Sequence, residues 1–314
     1  MAILFYNDIQ KANSKKIQMS EALRKLRRFL DTNEPKLAYF LQTMWRHQGN
    51  AITYKELREA ILKGELDPSV LMDWQKDYSR FVTTYMLPAW KLAMEEATTR
   101  LAQQYPLFAF DAEIQGVKNW IDTKAASFVT NSVQDQIDAI NAVVGRASLM
   151  QDMTVDGLAR AIRPMVGLTK PQANANLNFY NRMIESGISE KKALEQSIKY
   201  SARQHRYRGY NIARTELAFA YNKGEHFGVE QAIQQGYMGH TKKTWCTAAD
   251  ERVCKICKEL EGKTIEMDEE FDYKTKLSAT NPGIKKTPPA HPSCRCTVLY
   301  VEVEPPVFDT IEEI

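Results

Sequence analysis

The chain has 314 residues, of which 44% are hydrophobic and 26% are charged, so it is long enough for two ordinary domains with a sizeable core. Its net charge of +3 is too small to mark a nucleic-acid-binding protein by itself, and no apolar run approaches the roughly 18 residues needed to cross a bilayer. Because the first apolar stretch precedes the basic residues, the reverse of a secretory signal peptide, we expect neither export nor a membrane span.

From its start to about residue 232 the chain has the apolar periodicity of helices. Thr53 and Glu56 form a capping box for one helix, which Gly64 ends. Aromatic residues recur every three or four positions from residue 74 to residue 85, and Pro88 is expected to kink or end that helix. Further helices are predicted over residues 133–145, 154–167 and 169–187, from Ser189 onwards, and over a long stretch from about residue 202 to 235.

Two glycines, Gly224 and Gly228, lie four residues apart on one face of the last predicted helix. Glycine lowers helix stability, so this pair indicates that another backbone passes close to the helix. Nearby, Arg214, Glu216 and Asn222 are polar groups in an apolar stretch. Arg214 is expected either to pair with a carboxylate at a domain junction or to lie on an exposed helix face.

Basic residues are concentrated in two segments, residues 11–28 and residues 199–214. Such runs are typical of solvated helix faces, and the alternative is a surface that binds DNA phosphates or an acidic protein partner. Under this alternative Arg203, Arg206 and Arg208 are the candidate DNA contacts.

All five cysteines lie between Cys246 and Cys296, a spacing too tight for disulfides that staple a whole fold. Cys254-x-x-Cys257 places two thiols on one turn, a common half of a tetrahedral zinc site. About 35 residues later, His291-Pro-Ser-Cys294-Arg-Cys296 offers three more donors. We therefore predict one zinc ion, bound by Cys254, Cys257 and two of His291, Cys294 and Cys296, and the spacing leaves open which two.

The predicted zinc is structural, because the protein supplies enough donors to fill all four positions. Asp250 is expected to accept hydrogen bonds from the backbone or from Arg252 and so to orient the first turn. A zinc-dependent hydrolase or nuclease that uses Asp250, Glu251 and His291 is the alternative. The chain has no HExxH, GxGxxG, P-loop or GxSxG motif, so we expect a protein that is not an enzyme.

After Gly239 the helical pattern gives way to short β-like runs, with strands predicted at residues 243–245, 263–265 and 296–303. The expected fold class is mainly α, a multi-helix body followed by a small β-rich, zinc-stapled module. We expect an N-terminal helical region over residues 1–112, a helical domain over 113–236, the Cys/His zinc module over 237–304 and an acidic tail over 305–314.

Taken in order, several segments over about residues 115–303 resemble the phage head-morphogenesis (minor head protein) family, related to the phage Mu F protein and the SPP1 minor head protein. They are ARTELAFAYN at 213–222, KTWCTAADERVCKIC at 243–257, LEG at 260–262 and PPAHPSCRC at 288–296. The motif positions carried over are Arg214, Thr215, Glu216, Trp245, Asp250, Cys254, Cys257, Gly262, His291, Cys294, Arg295 and Cys296. Cys246 departs from the pattern and is left out of the site as a buried thiol.

The resemblance implies a component of the tailed-phage virion, made in the host cytoplasm and located at the capsid interior or the portal vertex. It implies portal and capsid proteins as partners, and roles in head assembly and in DNA packaging or delivery. Arg214, Glu216, Trp245 and Asp250 are then expected to support the zinc module. Some relatives carry a toxin or enzyme domain after this module, and the expectation here is that none follows. A sequence-independent DNA-binding protein is the alternative function.

Overall fold

The computed structural model describes residues 2–150, 153–248, 250–277 and 284–306, with the side chains of residues 2–15, Leu71 and Ile284 left out of the description. Most of these residues are helical, and one small sheet lies near the end of the chain. The mainly α fold class is therefore confirmed. In the described part of the chain, no helix is both long enough and apolar enough to span a membrane.

The helices are bounded by the caps and turn residues of the sequence. Thr53, Thr154 and Thr169 precede helices as predicted, and Gly64 ends the first capped helix with a φ of 83°. In chain order the α-helices are α1 (Ala2–Ala51), α2 (Tyr54–Lys63), α3 (Pro68–Phe81), α4 (Leu87–Gln104), α5 (Gln115–Ala147), α6 (Val155–Ile162), α7 (Lys170–Glu185), α8 (Glu190–Gln234) and α9 (Lys255–Leu260).

Two predicted helix boundaries differ in form from the expectation. The interruption before Pro88 is a π-helical turn, Val82–Met86, which joins α3 to α4 and lets proline occupy the first turn of α4, where a missing N–H costs least. The helices predicted from Ser189 and from residue 202 are one continuous α8. At the expected break, Ser201 donates its hydroxyl to the carbonyl of Ile198 within the same helix instead of capping a new one.

The chain forms two compact units built from non-consecutive segments. Unit 1 comprises Met1–Glu34, Ala89–Lys118 and Asn211–Ile314, and unit 2 comprises Pro35–Pro88 and Asn119–Tyr210. The division predicted at residues 112, 236 and 304 stays a prediction. Most of the predicted acidic tail, residues 307–314, lies outside the described residues.

Unit 2 combines an apolar core with a chain of buried hydrogen bonds. The indole of Trp45 donates to the hydroxyl of Tyr78 at 2.7 Å, and that hydroxyl donates to Gln136 at 3.1 Å. Gln136 in turn donates to the side-chain carbonyl of Gln48 at 3.1 Å. Because the indole of Trp45, the hydroxyl of Tyr78 and the amide of Gln136 have partners, these groups are buried without the cost of a lost hydrogen bond.

Unit 1 contains the close helix approach that the paired glycines predict. A Cβ atom added to Gly224 would lie 2.3 Å from Cα of Met94, and one added to Gly228 would lie 2.5 Å from the methyl group of Thr98. Only hydrogen fits at these two positions, so α4 packs directly on the backbone of α8. The prediction from the Gly224 and Gly228 spacing is confirmed.

The sheet of unit 1 has three antiparallel strands in the order β2-β1-β3. They are β1 (Thr241–Cys246), β2 (Thr264–Glu266) and β3 (Thr297–Glu302), which confirms all three predicted strands. The sheet shares one apolar core with α4 and α8, in which Leu101 and Val229 pack with Trp245 and the cysteines. The Cys/His segment is therefore not stabilised by its own residues alone, as a separate module would be.

Candidate metal centre

The first half of the centre is the turn that begins α9. Cys254 is the N-cap of this helix, in extended conformation, and its Sγ accepts a hydrogen bond from the backbone N–H of Cys257 at 3.4 Å. The two thiols of the C-x-x-C pair are thereby held on one side of the turn. The Cys254 side chain is half-buried, and that of Cys257 is buried.

The second half is the tight turn His291–Cys294, which leads into β3. The N–H of Cys294 donates to the carbonyl of His291 at 3.1 Å, and Ser293 has a positive φ of 59°. This strained residue is held from outside the turn, since its N–H donates to the hydroxyl of Thr215 at 2.9 Å and its own hydroxyl bonds to Asn211. Two residues of α8 therefore fix the turn that carries His291 and Cys294.

The two turns bring their donor atoms together. Nε2 of His291 lies 3.2 Å from Sγ of Cys254 and 3.3 Å from Sγ of Cys257, and the sulfurs of Cys257 and Cys294 are 3.8 Å apart. Cys257, Cys294 and Cys296 form a second group whose sulfurs all lie within 4.8 Å of one another. Tetrahedral coordination at about 2.3 Å for sulfur and about 2.05 Å for nitrogen separates ligand atoms by about 3.5 to 3.8 Å. The residues present therefore fit a tetrahedral metal ion.

The donors of the cluster hydrogen-bond to one another, and a metal ion that bound them would displace the protons they share. Hydrogen bonds with Cys257 and Cys294 raise the pKa of His291 to about 11. Hydrogen bonds with Cys257 and Cys296 hold the pKa of Cys294 well below its usual range, so this thiol carries negative charge next to the imidazole. Thiolate is the form of cysteine that binds metals. The cluster could hold one metal ion, and Cys246, although buried, belongs to neither donor group.

Asp250 supports both turns at once. Its two carboxylate oxygens accept hydrogen bonds from Arg295, each at 2.7 Å, and one of them also accepts from the backbone N–H of Arg252 at 3.1 Å. The bonds from Arg295 hold the pKa of Asp250 below its usual range. Because Arg295 stands between Cys294 and Cys296, this pair ties the loop before α9 to the segment before β3 that carries these two thiols. The hydrogen bond predicted between Asp250 and Arg252 is present.

The other three residues predicted as structural support lie in unit 1. Arg214 forms a two-pronged ion pair with Glu34 of α1, at 2.6 and 2.7 Å, and the Glu34 side chain is 3% exposed. Of the two alternatives for Arg214, the pairing with a carboxylate is the one observed. Glu216 is buried, and Trp245 is fully buried against the rings of Phe271 and Tyr273.

The sequence reasoning named Thr215 and Asn222 but missed that they belong to one polar seam on α8. Besides Asn211 and Thr215, the side chain of Asn222 accepts a hydrogen bond from Thr297 at 2.9 Å, and His226 lies 3.2 Å from the hydroxyl of Tyr300. The helix residues are spaced by multiples of about 3.6, so they share one face. That spacing is the signal that could have found them in the sequence.

Gly262 owes its place in the motif to backbone conformation. It follows α9 with a φ of 74°, a backbone conformation that residues other than glycine rarely adopt. Its N–H donates to the carbonyl of Trp245 at 2.9 Å. The turn thereby returns the chain from α9 to the sheet at β2.

The candidate DNA contacts divide into two kinds. Arg203 and Arg206 are exposed on α8, whereas Arg208 is 6% exposed. Its guanidinium donates to the carbonyl of Gly167 at 2.5 Å and lies over the ring of Trp45. The prediction is corrected for Arg208, because a guanidinium enclosed in unit 2 is not offered to a phosphate on the surface.

Residues 147–299 match the family described as Phage Mu protein F like protein, and this region contains both turns of the centre. Over these residues, just under half of the chain, the sequence is similar to the phage Mu F-like family. The resemblance to phage head-morphogenesis proteins is therefore confirmed over the candidate site.

A second comparison gives a partial match to a protein of Enterococcus faecalis (strain ATCC 700802 / V583), the NAD(+)--arginine ADP-ribosyltransferase EFV. The two chains are 32% identical over 90 residues, which is 29% of this chain and 18% of that protein. The chain thus spans less than a fifth of this relative, and the match does not transfer its activity. No solved structure matches the chain.

Proposed function

We propose that this chain is a structural head-morphogenesis protein of a tailed phage, acting at the portal and inner capsid in head assembly and in DNA packaging or delivery. The observation that carries the proposal is the convergence of two donor turns inside the region that matches the phage Mu F-like family. The virion is the location that this family implies, with portal and capsid proteins as partners.

The cofactor of this proposal is one structural zinc ion. Three thiols and an imidazole on two turns are the ligand chemistry of structural zinc sites, and thiolates favour zinc over magnesium or calcium. When bound, the ion would crosslink the turn before α9 to the turn before β3. The short distances among Cys254, Cys257, His291 and Cys294 favour these four as the ligands, with Cys296 as the competing donor.

Metal analysis of the purified, reduced chain by inductively coupled plasma mass spectrometry tests the cofactor. We expect one zinc per chain, lost in Cys257→Ser and retained in Cys246→Ser, which is the matched control. Comparing Cys294→Ser with Cys296→Ser identifies the fourth ligand. A metal-free wild-type chain with a cooperative unfolding transition would contradict the zinc proposal.

Co-purification from cells that produce the phage particles tests the head-assembly role. Tagged wild-type chain is expected to bring down the portal or major capsid protein, identified by mass spectrometry, and Cys257→Ser is expected to bring down less. If neither protein is retained and the chain is missing from purified virions, the proposed location is wrong.

Sequence-independent DNA binding is the second candidate function, supported by the exposed positions of Arg203 and Arg206. Its signature is an affinity that falls steeply with salt, because phosphate contacts release counterions. The Arg203→Glu and Arg206→Glu double variant should flatten the salt dependence, while Lys192→Glu, exposed on the same helix, should not. Equal salt dependence in all three chains would exclude these contacts.

A zinc-dependent hydrolase or nuclease is less well supported. Both oxygens of Asp250 are engaged by Arg295, so this carboxylate is poorly placed to take a proton from water. We therefore propose that the chain is not an enzyme. Metal-dependent DNA cleavage by the wild type that disappears in Asp250→Ala would overturn this view.

A further inference from the structure

A concave surface of unit 1 joins the first helix to the support of the metal centre. It encloses about 310 Å³ and lies between α1, the middle of α8, the loop before α9 and the segment before β3. We call it the arginine cleft. Its lining residues that carry the argument are Arg24, Arg27, Arg214, Arg252 and Arg295, with Leu23, Leu26 and Leu30 along one wall.

The charge of the arginine cleft is positive but not uniformly so. Five arginines face three acidic residues, Asp31, Glu34 and Asp250, which leaves an excess of two positive charges. Arg214 and Arg295 are each held by both oxygens of a carboxylate. A guanidinium has five N–H donors, and such a pair uses two of them, so each group keeps donors for a further oxyanion.

The other parts of the lining differ in exposure and polarity. Arg24 and Arg27 are exposed on α1, and the Arg27 side chain, which is 81% exposed, lies 3.6 Å from a carboxylate oxygen of Asp31. On the same helix Leu23 is partly exposed, whereas Leu26 and Leu30 are 1% and 4% exposed and offer almost no surface. The arginine cleft therefore offers two carboxylate-held guanidinium groups, exposed guanidinium groups on α1 and a small apolar surface at Leu23.

We infer that the arginine cleft binds an acidic peptide segment of a partner protein in which an aliphatic side chain lies next to Asp or Glu. The carboxylates would take the remaining guanidinium donors, and the aliphatic side chain would lie on the exposed part of Leu23. This small apolar surface and three built-in acidic groups suit a peptide better than a nucleic-acid backbone, which requires a uniformly basic track. The inference goes beyond the proposed function, since it assigns a surface and the chemistry of its partner.

Selection from a random twelve-residue peptide library displayed on the surface of yeast, with the full-length chain as target, tests the inference. The Arg24→Glu and Arg27→Glu double variant removes the two exposed guanidinium groups of α1 from the cleft. It leaves the bonds of Arg214 and Arg295 in place. Arg28→Glu is the matched control, because Arg28 is exposed on the same helix but does not line the cleft. Equal thermal melting of the three chains establishes that the substitutions leave the fold intact.

Enriched peptides are expected to combine acidic and aliphatic residues, and the double variant should bind the best synthetic peptide at least tenfold more weakly in fluorescence anisotropy. Arg28→Glu should bind it as the wild type does, and a labelled twelve-residue oligothymidylate should bind more weakly than the peptide. Enrichment of peptides without acidic residues, or equal binding by the double variant, would overturn the inference. Tighter binding of the oligothymidylate, weakened by the double variant but not by Arg28→Glu, would also overturn the inference and make the arginine cleft a phosphate-binding site instead.

Discussion

Replacing Gly224 with alanine tests whether the contact between α4 and α8 holds unit 1 together. The new Cβ would lie 2.3 Å from Cα and 2.6 Å from Cβ of Met94, whereas carbon atoms in contact are separated by about 3.5 to 4.0 Å. The opposing atoms belong to the backbone and to Cβ, so a rotamer change cannot relieve the clash and the helices must separate by more than about 1 Å. Such overpacking costs about 3 kcal/mol, and the better helix propensity of alanine returns about 1 kcal/mol. We expect a net loss of about 2 kcal/mol.

Urea unfolding followed by circular dichroism measures this loss, with Gly116→Ala as the matched control. Gly116 is also helical and lies in unit 1, but its added Cβ would meet nothing closer than a ring carbon of Phe227 at 3.9 Å. The control is expected to be as stable as the wild type or up to about 1 kcal/mol more stable. If Gly224→Ala is as stable as Gly116→Ala, the close approach of the two helices does not exist in solution.

Three further predictions concern metal, charge and pH. Cys257→Ser is expected to reduce bound zinc from one per chain to near none and to lower the thermal midpoint, while Cys246→Ser changes neither; equal zinc in both variants would refute the assignment. Arg214→Met should destabilise unit 1 by about 2 kcal/mol, because it leaves the buried Glu34 without its partner. Adding Glu34→Gln should recover part of that loss in a double-mutant cycle, and strict additivity would exclude the coupling. Burial lowers the pKa of His205 to about 4, so its contribution to stability is complete above about pH 6.5 and is lost as the pH falls toward 4, by up to about 3 kcal/mol. His205→Gln should flatten the wild-type pH dependence across this window in chemical denaturation, and unchanged pH dependence would show that the imidazole is not held neutral.

Local sequence signals account for much of the helical architecture. The capping threonines and Gly64 place helix ends where the structure has them, because capping depends on residues a few positions apart. The break expected within α8 was wrong, because a residue with a cap-type side chain does not always end a helix. Ser201 carries a cap-type side chain, but its hydroxyl bonds to Ile198 inside a helix that continues. Whether such a residue caps or continues a helix is decided by what packs around it.

The candidate metal centre follows the same division. The spacing within Cys254–Cys257 and within His291–Cys294 indicates two turns, since each turn is closed by bonds between near neighbours. The spacing of polar residues on α8 indicates one polar face but not what that face holds. Asn211 and Thr215 hold Ser293 across about 80 positions, and such a contact depends on how the helix packs.

The sequence by itself determined the helical class, the three strands and the two donor turns, which depend on local backbone preferences. The pair Gly224 and Gly228 indicated a close approach, and the structure identifies α4 as the helix that makes it. Only the tertiary structure decided that the donors of the two turns meet, that Arg208 is enclosed while Arg203 is exposed, and that the Cys/His segment shares its core with α4 and α8. The physical reason is that burial and ligand geometry are set by contacts between segments far apart in the chain, and the free energy of those contacts depends on complementary surfaces that no local pattern encodes.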